Sequence, residues 1–218
     1  MKKQLLTSIV ALTTVLFTAL TANAQLFSSG NNIVVGTNVG IGNSVPIYPL
    51  DVDGGINMST GNAITFGGIN AINSNGTRNI HIGQKAGAIS TGNQNAMIGY
   101  NAGQLNTTGS KNTFIGPTAG RLNTTGNQNA FIGGGSGFNN MTGSANAFIG
   151  WLAGRDNISG SDNVAIGKYA GLSNTTGTLN TYIGSNANGA PTLTNATAIG
   201  AGAQATANNM VQLGNPLV

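Results

Sequence analysis

The stretch Asn112-Thr113-Phe114-Ile115-Gly116 is repeated seventeen residues later as Asn129-Ala130-Phe131-Ile132-Gly133, and this pentad decides the fold. Its pattern occurs six times at a constant step of seventeen residues. The first positions are Asn95, Asn112, Asn129, Asn146, Asn163 and Asn180. The fourth positions are Ile98, Ile115, Ile132, Ile149, Ile166 and Ile183. A fixed period of this size is the signature of a repeat protein, in which each copy is one structural unit.

A short segment and a corner follow each pentad. After Gly116, the segment Pro117–Gly120 leads to Asn123-Thr124-Thr125-Gly126. Asn and Gly tolerate the left-handed backbone angles that corners require. In stacked coils, equivalent residues lie about 4.8 Å apart, so identical side chains contact one another and asparagines can form amide ladders. We therefore predict an all-β fold, a parallel β-solenoid of about eight to nine short coils with a 17-residue repeat.

Period-two alternation places neighbouring pentad positions on opposite faces of the strand. We expect the isoleucine column to point into the coil, beside small residues such as Ala96, Thr113 and Ala130. The intervening column would then form an apolar stripe outside the coil. This column contains Met97, Phe114, Phe131, Phe148, Ala165 and Tyr182. An exposed apolar stripe commonly marks an interface, and a coil with few large core residues buries little apolar surface. We therefore expect a homotrimer.

The composition favours a thin, hydrogen-bonded β structure over a globular enzyme. The 218 residues include 35 Gly, 32 Asn and 25 Thr, whereas only 6% are aromatic and 6% are charged. Globular enzymes bury more large apolar side chains, and disordered chains carry more charge. The net charge of +4 is scattered without a basic cluster, which argues against nucleic-acid binding. The chain has no cysteine and therefore no disulfide.

Residues 1–24 have the pattern of a signal peptide. Lys2 and Lys3 precede the apolar stretch Leu5–Leu20, and the triplet Ala22–Ala24 offers a small-x-small cleavage site. The alternative is an uncleaved membrane anchor, but threonines interrupt the stretch and a span needs ~20 apolar residues. We expect an exported protein, extracellular or on the outer cell surface, with no transmembrane segment in the mature chain.

We divide the remaining chain into an irregular β-rich segment at 25–78, the repeat domain at 79–214 and a tail at 215–218. Asn32–Gly36 and Asn38–Gly42 are β-prone runs. Asn62–Gly67 is expected to be a first, irregular copy of the repeat. Asp51 and Asp53 resemble part of a calcium loop, but no Glu follows at the required spacing. A solvated strand edge is the better interpretation of these two carboxylates.

The repeats contain no recognisable catalytic constellation. His81 is the only histidine, and the four aspartates are the only acidic side chains. Because no spacing suggests a Ser-His-Asp triad or paired carboxylates, we expect no enzyme and no catalytic, cofactor or metal site. His81 falls in the column of Met97 and Phe114, so we expect it on the outer stripe.

Two further features have structural interpretations. Gly133–Gly137 resembles a phosphate loop but lacks the Lys-Ser/Thr ending, so we interpret it as structural. Trp151 is either an exposed contact or a corner filler.

The pentads, together with Ala198–Gly214, resemble the head repeats of trimeric autotransporter adhesins, the YadA-like head. Ala198-Ile199-Gly200 matches that family's x-A-I-G strand, and Gly214 follows Gly200 at its shorter coil length of fourteen residues. The resemblance implies a left-handed β-roll and three chains per fibre. Asn38–Gly42 with Leu50–Gly54 is similar to the opening of phage tail-fibre-type secreted proteins. These 218 residues contain no heptad run, so the family's mode of attachment is not implied.

We expect a secreted or surface-exposed structural and adhesive fibre module that acts in cell adhesion through many repeated contacts. Its host, matrix or cell-surface ligand is unknown from the sequence. The alternative is an ice- or glycan-binding β-solenoid with flat threonine ladders. However, Thr107-Thr108 and Thr124-Thr125 lie at corners and do not alternate along a strand face.

Overall fold

A computed structural model describes residues 78–215 and five earlier strands, at 32–35, 38–41, 50–52, 63–66 and 69–73. The expected signal peptide at 1–24 and the end of the expected tail at 216–218 lie outside these residues. The chain divides into two compact units, residues 1–57 and residues 58–218. The described residues form no helix, and thus none that could cross a membrane.

The first unit contains a small sheet. Its strands β1 (Asn32–Val35) and β2 (Asn38–Ile41) form an antiparallel pair, as the β-prone runs predict. Strand β3 (Leu50–Val52) pairs with β2 in parallel. Asp51 therefore lies in a strand, and Asp53 lies outside the described residues.

The second unit begins with two antiparallel strands, β4 (Ala63–Phe66) and β5 (Ile69–Asn73). The prediction that residues 62–67 form a first copy of the repeat was wrong, because β4 is antiparallel to β5 and belongs to no parallel coil. Only two residues separate the strands. So short a connection permits a hairpin, whereas parallel strands need a long crossover.

The strands that follow β5 are three residues long in most coils. They are β6 (Ile80–Ile82), β7 (Ala96–Ile98), β8 (Thr113–Ile115), β9 (Ala130–Ile132), β10 (Ala147–Ile149), β11 (Val164–Ile166), β12 (Thr181–Ile183), β13 (Asn188–Gly189), β14 (Thr197–Ile199), β15 (Gln204–Ala205) and β16 (Val211–Leu213). Nine of them, all except β13 and β15, form one parallel sheet, and the chain winds through about eight turns of a β-solenoid. Strands β13 and β15 pair separately in parallel.

The register confirms the predicted repeat. Ile132 pairs with Ile115 on one side and with Ile149 on the other, and Phe131 is in register with the phenylalanines of both neighbouring coils. The step between equivalent residues shortens towards the end of the solenoid. Thr181 pairs with Thr197, and Thr197 pairs with Val211.

The two faces of the strands are the reverse of the sequence prediction. Phe114, Phe131 and Phe148 are at most 1% exposed and stack inside the coil with ring centroids 5.0 Å apart. Met97, Ala165 and Tyr182 of the same column are buried too. The isoleucine column faces outward.

The segment across the coil explains the reversal. A Cβ atom added at Gly137 would lie 2.5 Å from the ring of Phe131, and one at Gly154 would lie 2.4 Å from the ring of Phe148. The small residues that make room for the core therefore lie opposite the aromatic side chain. The prediction assumed that the small residues beside the isoleucine on the same strand make room for the core. It was wrong because the room comes from the glycines across the coil.

Two columns of buried asparagines complete the interior and confirm the predicted amide ladders. At the start of each strand, the backbone N–H of Asn129 donates to Oδ1 of Asn112 at 2.9 Å. At the corner, Nδ2 of Asn140 donates to Oδ1 of Asn123 at 2.8 Å, and Nδ2 of Asn123 donates to Oδ1 of Asn106 at 2.6 Å. Buried amides that bond to their equivalents in the next coil avoid the cost of unpaired polar groups.

Candidate interaction surfaces

The outer side of the parallel sheet is an uncharged, largely apolar surface, which we call the strand face. It consists of the first and third positions of the nine parallel strands. The third positions are Ile82, Ile98, Ile115, Ile132, Ile149, Ile166, Ile183, Ile199 and Leu213. The first positions are Ile80, Ala96, Thr113, Ala130, Ala147, Val164, Thr181, Thr197 and Val211. Nine strands at a spacing of about 4.8 Å give a strip roughly 40 Å long.

The strand face leaves large side chains in solvent along its whole length. Ile115, Ile132 and Ile149 are 37–39% exposed, and Val211 and Leu213 are 67% and 70% exposed. Single exposed apolar residues are common on soluble proteins, but a continuous strip of them is typical of an interaction site. The strand face is therefore the first candidate for a contact with another molecule.

A second surface lies at the turn that follows each strand. One coil has Gly134-Gly135 there, whereas its neighbours have Pro117-Thr118 and Trp151-Leu152. A groove of about 340 Å³ lies at this turn, and we call it the Trp151 groove. It is lined by Pro117, Thr118, Gly134, Gly135, Phe138, Trp151, Leu152 and Arg155.

The glycines determine how the Trp151 groove is shaped. A Cβ atom at Gly134 would lie 2.5 Å from Cζ3 of Trp151, so the indole rests directly on the backbone of the preceding coil. A Cβ atom at Gly135 would lie 2.4 Å from Cδ2 of Leu152. Trp151 is nevertheless 54% exposed, which favours the exposed contact over the corner filler.

One arginine lines this groove and a second lies beside it. Arg155 forms an ion pair with Asp156, with Nη2 2.7 Å from Oδ2 and Nε 2.8 Å from Oδ1. The hydrogen bond to Asp156 raises the pKa of Arg155 above its usual value. The guanidinium of Arg121 lies 5.6 Å from the ring centroid of Phe138. Lys168 follows Trp151 in the same column of the next coil.

The threonine corners form a third surface, which bears on the ice-binding alternative. The hydroxyl of Thr107 donates to the carbonyl of Thr124 at 2.8 Å, and that of Thr124 donates to the carbonyl of Met141 at 2.8 Å. The first hydroxyl of each pair therefore stabilises the stack of coils. The second threonine of each pair, such as Thr108 and Thr125, faces solvent, and these residues form a single column. Binding to an ice lattice needs a two-dimensional array of threonines.

His81 is in the predicted column but is 1% exposed, so its assignment to an outer stripe was wrong. The reason is the reversed strand faces, which place the whole column inside the coil. Burial lowers the pKa of His81, because the charged imidazolium is poorly solvated there. Within the described residues, no three histidine or acidic side chains lie close enough to hold a metal ion.

The Trp151 groove was not predicted, although the sequence contains a signal for it. Aligning the coils at seventeen residues places Gly134 directly between Pro117 and Trp151. The interpretation of Gly133–Gly137 as structural did not consider that Gly134 and Gly135 give room to the large side chains of the next coil. A comparison of the chain with protein-family models, with curated proteins and with solved structures finds no match.

Proposed function

We propose that this chain is an exported structural and adhesive fibre module, and that it assembles as a homotrimer through its strand face. The observation that supports the proposal most strongly is the continuous row of half-exposed isoleucines on a regular sheet. Association would remove this apolar surface from water, which is the main driving force of most protein interfaces.

A second copy of the same chain is a suitable partner for this surface. The strand face repeats every coil, so its ridges have the same spacing as those of another copy. Its uncharged centre resembles the apolar core of a homo-oligomer interface, from which charged residues are depleted. Three such faces around a threefold axis would bury one another and form a closed assembly.

The rest of the solenoid surface would then be free for adhesion. In a trimeric rod, each surface feature occurs three times at fixed positions. Weak contacts that are repeated on one rigid particle give an overall affinity that exceeds the affinity of any single contact.

Replacing Ile149 by glutamate tests this assembly. The substitution would bring three carboxylates together at the threefold axis, and we expect sedimentation equilibrium to show a trimer for the natural chain and a monomer for the variant. Ile158→Glu is the matched control, because Ile158 is 43% exposed but lies at a corner away from the strand face. A natural chain that is folded and monomeric, or equal dissociation in both variants, would overturn the proposal.

A further inference from the structure

The Trp151 groove combines an exposed indole with cationic side chains, and we infer that it binds an acidic saccharide, with the sugar ring on Trp151 and the acidic group near Arg155. This inference rests on the proposed adhesive function, for which it names the class of ligand. The groove volume of about 340 Å³ lies at the lower end of the range for ligand sites. It suits one or two sugar rings.

The indole provides a flat surface for one face of a pyranose. The face of an aromatic ring carries partial negative charge, which attracts the weakly positive C–H groups on one side of a sugar ring. Cζ3 and Cε3 of Trp151 lie against Gly134, and the residue is 54% exposed, so the ring is held in place and stays accessible. Pro117 and Phe138 extend the apolar lining.

The charges of the groove select an acidic sugar over a neutral one. Arg155 lines the groove and is paired with Asp156, and Arg121 lies over Phe138, which also lines it. The bonds of Arg155 to Asp156 use its Nε and Nη2 atoms, and Nε of Arg121 donates to Gln104. A guanidinium has five N–H donors, so both arginines retain donors for a carboxylate or a sulfate.

The backbone of the groove argues against a peptide ligand. The N–H of Gly135 donates to the carbonyl of Pro117, and the N–H of Leu152 donates to the carbonyl of Gly134. The carbonyl of Trp151 accepts a hydrogen bond from the N–H of Tyr169. A peptide that binds by strand addition needs unpaired backbone groups on its receptor, and these groups are already used between the coils. This disfavours a peptide bound by strand addition and leaves recognition mainly to side chains.

A nucleic acid is a poorer match than a saccharide. Binding of a single strand needs several stacking platforms and a basic groove that follows the backbone over many nucleotides. Here one indole is exposed, Arg78 and Lys111 lie in other columns of the solenoid, and Lys85 lies two coils before Thr118. A short acidic oligosaccharide needs only the local combination of ring and charge.

Tryptophan fluorescence gives a direct measurement, because Trp151 is the only tryptophan in the chain. We would titrate the natural protein with a galacturonic acid oligosaccharide, a sulfated galactose oligosaccharide and a neutral galactose oligosaccharide of the same length. We expect saturable changes in emission with the acidic sugars and at least about tenfold weaker binding of the neutral sugar. The first two titrations distinguish a carboxylate from a sulfate as the preferred group.

Two pairs of variants test the assignment by calorimetry. Trp151→Ala should weaken binding at least about tenfold, whereas Tyr100→Ala, in the same column and 52% exposed, should leave binding unchanged. Arg155→Gln should remove the preference for the acidic sugar, whereas Lys111→Gln makes the same charge change at a distance and should not. Gly134→Ala should displace the indole, because the added Cβ would lie 2.5 Å from Cζ3 of Trp151.

Several results would overturn the inference. The first two are unchanged emission with every sugar and equal affinity for neutral and acidic sugars. The others are equal losses of affinity in either pair of variants, and binding of an oligoaspartate peptide or a thymidine oligonucleotide that is as tight as that of the acidic sugar. Sedimentation equilibrium on the same samples separates this inference from the proposed assembly. A monomer that still binds the acidic sugar would contradict only the trimer, and a trimer that does not bind it would contradict only the groove.

Discussion

Replacing Phe131 by alanine should lower the free energy of unfolding of the solenoid by about 3–5 kcal/mol, the usual range for a phenylalanine deleted from a core. The upper part of this range applies, because Phe131 is fully buried and stacks on two other rings at 5.0 Å. Each stacked pair contributes about 0.5–1.5 kcal/mol beyond the buried area. Denaturant unfolding followed by far-UV circular dichroism measures the loss.

Ile132→Ala is the matched control, one residue along the same strand. Ile132 is 38% exposed, so its truncation should cost only about 1–2 kcal/mol in a monomer. Both substitutions should be made in the Ile149→Glu background, so that association through the strand face does not add to the stability. Equal losses for the two substitutions would contradict the assignment of Phe131 to the interior. Hydrogen exchange should show that the loss is concentrated in the neighbouring coils, because repeats contact only their neighbours.

Two further substitutions test the polar interior. Asn123→Ala should lower the free energy of unfolding by about 2–4 kcal/mol, because it removes the buried bonds to Asn106 and Asn140 and leaves Oδ1 of Asn106 unpaired. Thr125→Ala, at the exposed position of the same corner, should have little effect on stability. Equal losses of stability in denaturant unfolding would refute a stabilising role for the asparagine ladder. Tyr182 has a buried hydroxyl without a hydrogen-bond partner, and burial raises the pKa of its hydroxyl from 10.0 to about 12. The folded state therefore keeps a proton that the unfolded chain loses, so the natural chain should lose about 2–3 kcal/mol of stability between pH 10 and pH 12. Tyr182→Phe should be no less stable at pH 8 and should lack this contribution, and identical alkaline unfolding of both chains would contradict the buried hydroxyl.

The period of the sequence was sufficient to predict the stack and its register. Asn112, Phe114 and Ile115 each recur after seventeen residues, and a stack in which equivalent residues align is the arrangement that satisfies all three columns together. The reverse direction of β4 could not be read from the same period. The run at 62–67 resembles a pentad in composition, and only the two-residue connection to β5 indicates a hairpin.

Alternation alone could not decide which strand face is inside. It separates Phe131 from Ile132, but both are large and apolar, and the choice depends on the segment across the coil. Gly120, Gly137 and Gly154 recur at seventeen residues as strictly as the isoleucines. A column of glycines opposite an aromatic column indicates where the rings are buried, because any Cβ there would overlap them. The interior can thus be predicted when columns are compared across the coil as well as along one strand.

Comparing equivalent positions in successive coils also indicates where a binding site lies in a repeat protein of this kind. Positions that keep the period maintain the stack, and positions that depart from it are free to serve another purpose. Gly134 and Trp151 occupy one column in consecutive coils, and the missing side chain at Gly134 lets the indole lie against the backbone beside the groove. Gly134→Ala would displace the indole from its position, and Trp151→Ala would remove it. Both substitutions therefore act on the same binding surface. If the groove binds a sugar ring, both should weaken binding while leaving the hydrogen exchange of β8 and β11 unchanged.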